Sequence, residues 1–419
     1  MYLIKNVRLY TGEESFEHGA VLTDGGVIAY AGAEAGLPHI PENVEVIDGK
    51  GGICMPGLCN AHTHAPMVFL RGEGADLPLM EWLGCVQKLE DNFTPETIYT
   101  GTMLAIMEML RFGTTSFADM YFECADMIRA VLDSGIRANI TRGSTSLEGV
   151  AYHEELHRLY DGADGRVRVY VGLHAEYTSD ETVARAAVEL AAKLGVGVHV
   201  HLSESATEVK GCIERHGVTP PVYFERLGLF DVPTIAAHCV HLTDEDIDIL
   251  HRHGVTASHC PASNMYLASG VSPVAKLRGC GVRVALGTDG AASNNTLDMF
   301  REMRLAALIS KVSTGSASAI PARSVIEMAT VNGARAMGFD NSGVLAKGKT
   351  ADLVILDGEA LHLNADDIAA NIVYSASGAD VKLTMVSGRV LYRDGEYTTI
   401  DAERILAAGK AAAAYLRGR

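Results

Sequence analysis

Met55-Pro56-Gly57-Leu58-Cys59-Asn60-Ala61-His62-Thr63-His64-Ala65-Pro66 closes an apolar run that begins at Gly52 and ends in two histidines one residue apart, then a proline. A run that finishes this way reads as a buried strand opening into a loop. Successive side chains of a strand alternate faces, so His62 and His64 point the same way from its end. Two imidazoles presented together make half of a site for zinc or a neighbouring divalent metal. A His-X-His also arises by chance, so its weight depends on what the rest of the chain supplies.

The chain has 419 residues, 48% of them hydrophobic, enough for a large core. Its net charge of -17 argues against a nucleic-acid or anionic-membrane surface, since neither polyanion would be attracted overall. Met1 to Tyr10 lacks the charged and apolar regions of a signal peptide, and no later stretch is apolar for long enough to span a bilayer. The eight cysteines are scattered without a CxxC, which indicates neither a disulfide scaffold nor a thiolate metal site. The expectation is a cytoplasmic protein.

Leu3 to about Lys50 consists of short apolar runs broken by Gly, Asp and Pro, and reads as short antiparallel strands. The same texture returns in Ala351 to Leu356, Val381 to Val386 and Arg389 to Tyr392, before an alanine-rich helix over Glu403 to Leu416. Neither piece is large enough for a core of its own. The expected organisation is a small β-sandwich domain assembled from residues 1–55 and 344–419, with a barrel over 56–343 inserted between them. In that middle part strand-like runs alternate with helical patterns: Thr114 to Asp119, Ala138 to Arg142, Val167 to His174, Gly197 to Leu202, Thr234 to His238, Val255 to Ser258 and Val282 to Asp289. With the first run these make eight βα units, an α/β chain folding as a (β/α)₈ TIM-like barrel.

Active sites of such barrels lie at the C-terminal ends of the strands. Strand one ends in His62 and His64, strand five in His201, strand six in His238 and strand eight in Asp289. Three imidazoles and a carboxylate about an open position, with a further histidine nearby, describe a catalytic metal site rather than a closed structural one. Strand four ends in His174 and offers no lysine for a bridging carbamate, which favours one metal over two. Of the 16 histidines, the pair in His251-Arg252-His253 sits before Gly254 and reads as a helix C-terminus, where histidine is favourable. His199 lies deeper in its strand and reads as a packed core residue; His241 falls in a loop, structural or supporting. His174-Ala175-Glu176 imitates the H-x-E of nucleic-acid zinc deaminases, but the P-C-x-x-C that must accompany it is absent. Glu204 just beyond His201, and Asp289 between Thr288 and Gly290, complete a set in register with the strand ends that scattered surface histidines do not explain.

These motifs, with Ala237-His238-Cys239-Val240-His241, Ser258-His259-Cys260-Pro261-Ala262-Ser263-Asn264 and Gly287-Thr288-Asp289-Gly290-Ala291-Ala292-Ser293-Asn294, resemble the amidohydrolase superfamily. Within it the sequence is similar to the 5′-methylthioadenosine/S-adenosylhomocysteine deaminases, over nearly the whole chain. The resemblance implies one divalent metal ion per subunit, Zn2+ first and Fe2+ second, held by His62, His64, His201 and Asp289. It implies proton donation by Glu204, a histidine beside the attacking water in His238, and contacts to substrate from His174, Glu90 (ribose hydroxyls) and Arg142 (the 5′ side). The implied reaction is hydrolytic deamination at C6 of a small adenine nucleoside by metal-activated hydroxide. No nucleic-acid or membrane partner is expected, and a homo-oligomer is expected only by analogy with other such barrels. Without the resemblance, Glu90 would read as a solvated helix face and Arg142 as half of a surface ion pair.

Two departures bear on the substrate. Relatives that bind S-adenosylhomocysteine carry a second arginine, but Ser146 to His157 has none, and Tyr152 or a neighbour stands at that place. A carboxylate lacking a guanidinium partner loses a strong charge-assisted contact, so neutral 5′ groups are expected to be preferred: 5′-methylthioadenosine, 5′-deoxyadenosine or adenosine. Cys260, where the subfamily often has asparagine, is more usual in other deaminases and triazine hydrolases. The competing readings are a hydrolase of guanine, 8-oxoguanine or an aminotriazine, and a binding homologue without activity.

Overall fold

The computed structural model describes residues 1–40 and 42–418. Eight parallel strands form a TIM-like barrel: β1 (Leu58–Thr63), β2 (Thr114–Tyr121), β3 (Arg137–Arg142), β4 (Val167–Val169 with Val171–Leu173), β5 (Val198–Leu202), β6 (Thr234–His238), β7 (Thr256–His259) and β8 (Arg283–Leu286). The fourth strand is interrupted at Tyr170; its first half pairs with β3 and its second with β5. Every residue of β5 is buried because barrel strands are covered on both faces. Its alternation sorts them: Val198, Val200 and Leu202 join the main hydrophobic core, while His199 and His201 take the other face.

Closure between β8 and β1 is tight. The Asp289 N–H donates to the His62 carbonyl at 2.9 Å, and Asn60 accepts the Thr288 N–H at 2.9 Å through Oδ1. A Cβ on Gly287 would lie 2.8 Å from both the backbone nitrogen and oxygen of His62. Glycine is therefore the residue that lets the last strand reach the first one at its His62 end.

The apolar run from Gly52 is two strands rather than one. Ile53–Pro56 belongs to a second sheet, the chain crosses at Gly57, and β1 starts at Leu58. The N-terminal strand is continuous over Tyr2–Tyr10. The second sheet has nine strands and is mixed, where the sequence predicted antiparallel pairing. Tyr2–Tyr10, Ser15–Asp24 and Val27–Ala33 run antiparallel, but Glu45–Asp48 and Ile53–Pro56 lie parallel to the first strand. Leu353–Leu356 joins from the C-terminal part, antiparallel to Ile53–Pro56. Alternation divides that strand between two cores: Leu353 and Ile355 pack with Ile4, Leu9 and Leu383, whereas Val354 and Leu356 join the barrel's core.

A buried charge pair fastens the two parts. Arg137, at the start of β3, lies 3.2 Å from Asp352 and donates to Ser342 and Ser387, each at 2.6 Å. The chain ends in the helix Ala402–Arg417, which lays Gly409 against Leu104 of the helix Pro95–Arg111. Among the described residues no helix is long and apolar enough to cross a membrane.

Candidate active site

His62 and Thr63 end β1, and His64 follows at once; His201 is the penultimate residue of β5 and His238 the last of β6. Asp289 comes three residues after β8. Their donor atoms converge, as His62, His64 and His201 in one overlapping group and His62, His238 and Asp289 in another, with all donor atoms of each group within 4.8 Å of one another. Asp289 Oδ1 lies 3.5 Å from His62 Nε2 and 3.3 Å from His64 Nε2. His64 and His201 face each other Nε2 to Nε2 at 3.4 Å. Bonds of about 2.05 Å to one tetrahedral ion put its ligands about 3.3 Å apart. The spacing thus fits a single divalent ion.

The hydrogen bonds behind these groups fit one as well. His64 Nδ1 donates to the Met120 carbonyl, and His201 Nδ1 to the His174 carbonyl at 2.7 Å. A ring that donates from Nδ1 keeps a lone pair on Nε2 when neutral, which is the form a metal takes. His62 Nδ1 shares a hydrogen with His199 Nε2 at 2.9 Å. His62 Nε2 itself is sealed from solvent and has no hydrogen-bond partner among the described residues. A buried orphan nitrogen of this kind calls for a missing ion or water. Burial pushes the His62 ring down to about 4 and His201 well below its usual value, so both are neutral.

Asp289 is held on both oxygens. Oδ2 accepts from Ser263 at 2.6 Å and Ser293 at 2.9 Å, and Oδ1 from the Gly290 N–H at 2.8 Å. Burial acts to raise its carboxyl, but His62, His64 and His238 outweigh this and hold it well below the usual carboxylate range. His238 Nδ1 donates to Asn264 Oδ1 at 2.9 Å, and His238 Nε2 lies 3.9 Å from Glu204. Burial would lower His238, yet the Glu204 and Asp289 carboxylates raise it overall. Glu204 is pushed up, chiefly by burial. Ser203, His238 and Asp289 all adopt positive φ, +51°, +73° and +62°. Such strain costs about 1–3 kcal/mol per residue and gathers where function requires it.

A cavity of about 650 Å³ opens over these groups, a size suited to a small-molecule ligand. His64, His201, His238, Glu204 and Asp289 line it together with His174, Glu90 and Arg142; His62 lies beneath. Glu90 ends the helix Leu79–Glu90 and accepts a hydrogen bond from the Tyr121 hydroxyl. Arg142 ends β3, and among the described residues no carboxylate pairs with it within 4.0 Å. The Tyr152 ring lies against its guanidinium, 5.6 Å from the ring centre. Met67, Trp82, Leu83 and Leu267 supply apolar wall.

Several of these contributors went unassigned in the sequence. His199 is buried, but it buttresses His62 rather than merely filling space. Asp119, fully buried in β2, accepts the Ala65 N–H at 2.7 Å and so fixes the turn after His64. Its place near a strand end was the available signal. Ser263, Asn264 and Ser293 sit within recognised motifs, without a role that local spacing reveals. His241 donates to the Ser269 carbonyl at 2.6 Å, and the Ser269 hydroxyl donates to Glu204 at 3.3 Å.

The amidohydrolase family profile matches residues 53–391. A Moorella thermoacetica protein named 5-methylthioadenosine/S-adenosylhomocysteine deaminase is 43% identical over 401 residues, covering 93% of each chain. A Methanothermobacter thermautotrophicus protein named 5′-deoxyadenosine deaminase is 45% identical over 383 residues, covering 89% of this chain and 90% of its own. Among solved structures, a zinc-bound adenosine deaminase from Xanthomonas campestris superposes with a TM-score of 0.95 at 33% identity, covering 100% of this chain and 99% of the other.

The His62–His199 contact yields a first test. His199→Phe keeps a ring of similar bulk but removes the partner of His62 Nδ1, and zinc affinity should fall by about 10- to 100-fold in a chelator competition. An unchanged affinity would show that His62 is oriented without it.

Proposed function

The chain belongs to the amidohydrolase family, and we propose that it replaces the 6-amino group of an adenine nucleoside with oxygen, releasing ammonia. The observation that carries this reading is the convergence in one cavity of a metal-competent donor set, a buried glutamate beside it, and separate Glu90 and Arg142 side chains suited to a ribose and its 5′ end. The names of the similar proteins support the same chemistry.

In this reading one zinc ion per subunit would be held by His62, His64, His201 and Asp289, drawn from the two overlapping donor groups. When bound, it supplies a Lewis acid that lowers the pKa of water toward about 7. Asp289 accepts the proton of the attacking water, and His238, poised between Asp289 and Glu204, orients that water. Glu204 delivers a proton to ring nitrogen N1, which makes C6 electrophilic. Burial favours this role because it raises the Glu204 carboxyl toward the range where a proton is both available and transferable. A C–O bond forms at C6, the proton held by Asp289 passes to the amine as the C–N bond breaks, and the remaining hydroxyl proton returns to Glu204, so that the 6-oxo nucleoside and ammonia leave.

The 5′ end sets the substrate. The helix Leu147–Tyr160 that faces Arg142 brings an aromatic ring, Tyr152, to the guanidinium. The one arginine of that helix, Arg158, is 70% exposed and pairs with Glu155. A single guanidinium packed on a ring favours neutral 5′ groups over an amino-acid carboxylate.

Glu204→Gln should keep its zinc and lose about 10²- to 10⁴-fold in kcat, the usual worth of a general acid; retained turnover would remove Glu204 from the proton transfer. In competition assays kcat/KM should be higher for 5′-methylthioadenosine than for S-adenosylhomocysteine. The reverse order would mean that another group grips the carboxylate.

A further inference from the structure

The proton donor is tethered from behind. β5 ends at Leu202 and the helix Ala206–His216 begins four residues later, so Ser203, Glu204 and Ser205 make the whole turn. Ser203 and Glu204 are buried, and their N–H groups point at one carboxylate. Glu208 Oε1 accepts from Ser203 N at 2.8 Å, and Oε2 from Glu204 N at 2.7 Å and Ser205 N at 3.4 Å. Ser205 and Glu208 form a capping box, but an ordinary box returns only to the N-cap N–H. Here that bond, to Ser205, is the longest, and the two short ones reach back to the residues that carry and precede the donor.

We infer that Glu208 is a positioning residue: its buried carboxylate clamps the Ser203–Glu204 peptides and thereby sets where the Glu204 side chain stands over the substrate ring. The inference rests on the reading of Glu204 as proton donor. The Glu204 carboxyl end is held only loosely, by Ser269 at 3.3 Å and by His238 at 3.9 Å. Its placement must therefore come from the backbone end. Ser203 at φ +51° is a conformation that serine does not favour; its carbonyl accepts from the Val240 N–H at 3.1 Å and the His241 N–H at 2.9 Å, and Glu208 holds its N–H from the other side. Capping alone would be served by glutamine. Glutamine has one accepting oxygen, whereas both oxygens of Glu208 are accepting. A second capping box, Thr243 with Asp246, shows the ordinary arrangement: Asp246 accepts from the N-cap Thr243 N–H at 2.7 Å and from the Thr219 hydroxyl, with no catalytic peptide involved.

The test compares zinc-loaded Glu208→Gln, Glu208→Asp, Asp246→Asn and Glu204→Gln with the parent, on 5′-methylthioadenosine. In Glu208→Gln an amide NH₂ must face a backbone N–H whichever way it turns. A displacement of about 1 Å at the donor costs about 100-fold. We expect kcat to fall by about 30- to 100-fold with KM within about threefold and zinc content unchanged. Asp246→Asn should lower Tm while keeping kcat within about twofold. Unchanged kcat in Glu208→Gln overturns the inference, as does a fall shared by Asp246→Asn or accompanied by loss of zinc. If Glu208→Gln does not fold, Glu208→Asp is judged by the same criteria. Turnover retained in Glu204→Gln would instead overturn the proton-donor reading itself.

Discussion

Lone pairs repel, and this barrel gathers several donor atoms within 4.8 Å of one another, with His62 Nε2 buried and without a hydrogen-bond partner among the described residues. Everything that positions the site answers that constraint. Carbonyls of Met120 and His174, on the neighbouring strand ends, take the Nδ1 hydrogens of His64 and His201 and aim the other nitrogen inward. Two serines and a backbone N–H take the lone pairs of Asp289 that do not face the histidines. A divalent cation held there would turn the remaining repulsion into coordinate bonds, and its binding energy would then add to the stability of the folded barrel.

The same requirement explains local departures from ideal geometry. Gly287 stands where β8 must touch the backbone of His62. The pairing of β1 with β2 shifts register between Asn60 and Thr63, across the segment that carries His62. Irregularities of this kind re-aim side chains at the rims of barrels. Positive φ at Ser203, His238 and Asp289 places three strand ends in strained turns at once. The buried Arg137–Asp352 pair ties β3 to the second sheet.

The alternation of strands and helices, and the chemistry at strand ends, are local properties, and both were legible. A two-residue period decides which face His199 and His201 share, and motif spacing decides where each loop begins. What escaped depends on contacts between remote segments. The bond between His62 and His199 spans 137 residues, and nothing in the VHVHL run distinguishes a packing histidine from one that orients a ligand. The apolar run through Gly57 is uniform in composition although it serves two sheets, because both bury their strands completely. Parallel placement of Glu45–Asp48 and Ile53–Pro56 likewise follows from crossover connections, which hydrophobic pattern does not encode. Glu208 went unassigned, although Ser205 to Glu208 carries the S-x-x-E signature of a helix start. Its reach back to Glu204 is visible only in three dimensions.

The most direct measurement is ammonia release by the zinc-loaded protein, with adenosine and 5′-deoxyadenosine assayed beside adenine, guanine and 8-oxoguanine. The account requires the nucleosides to turn over and the free bases to lag well behind, because Glu90 and Arg142 contribute only when a ribose and its 5′ group are present. Turnover confined to free bases would leave the barrel and its donor set standing but contradict the adenine-nucleoside function.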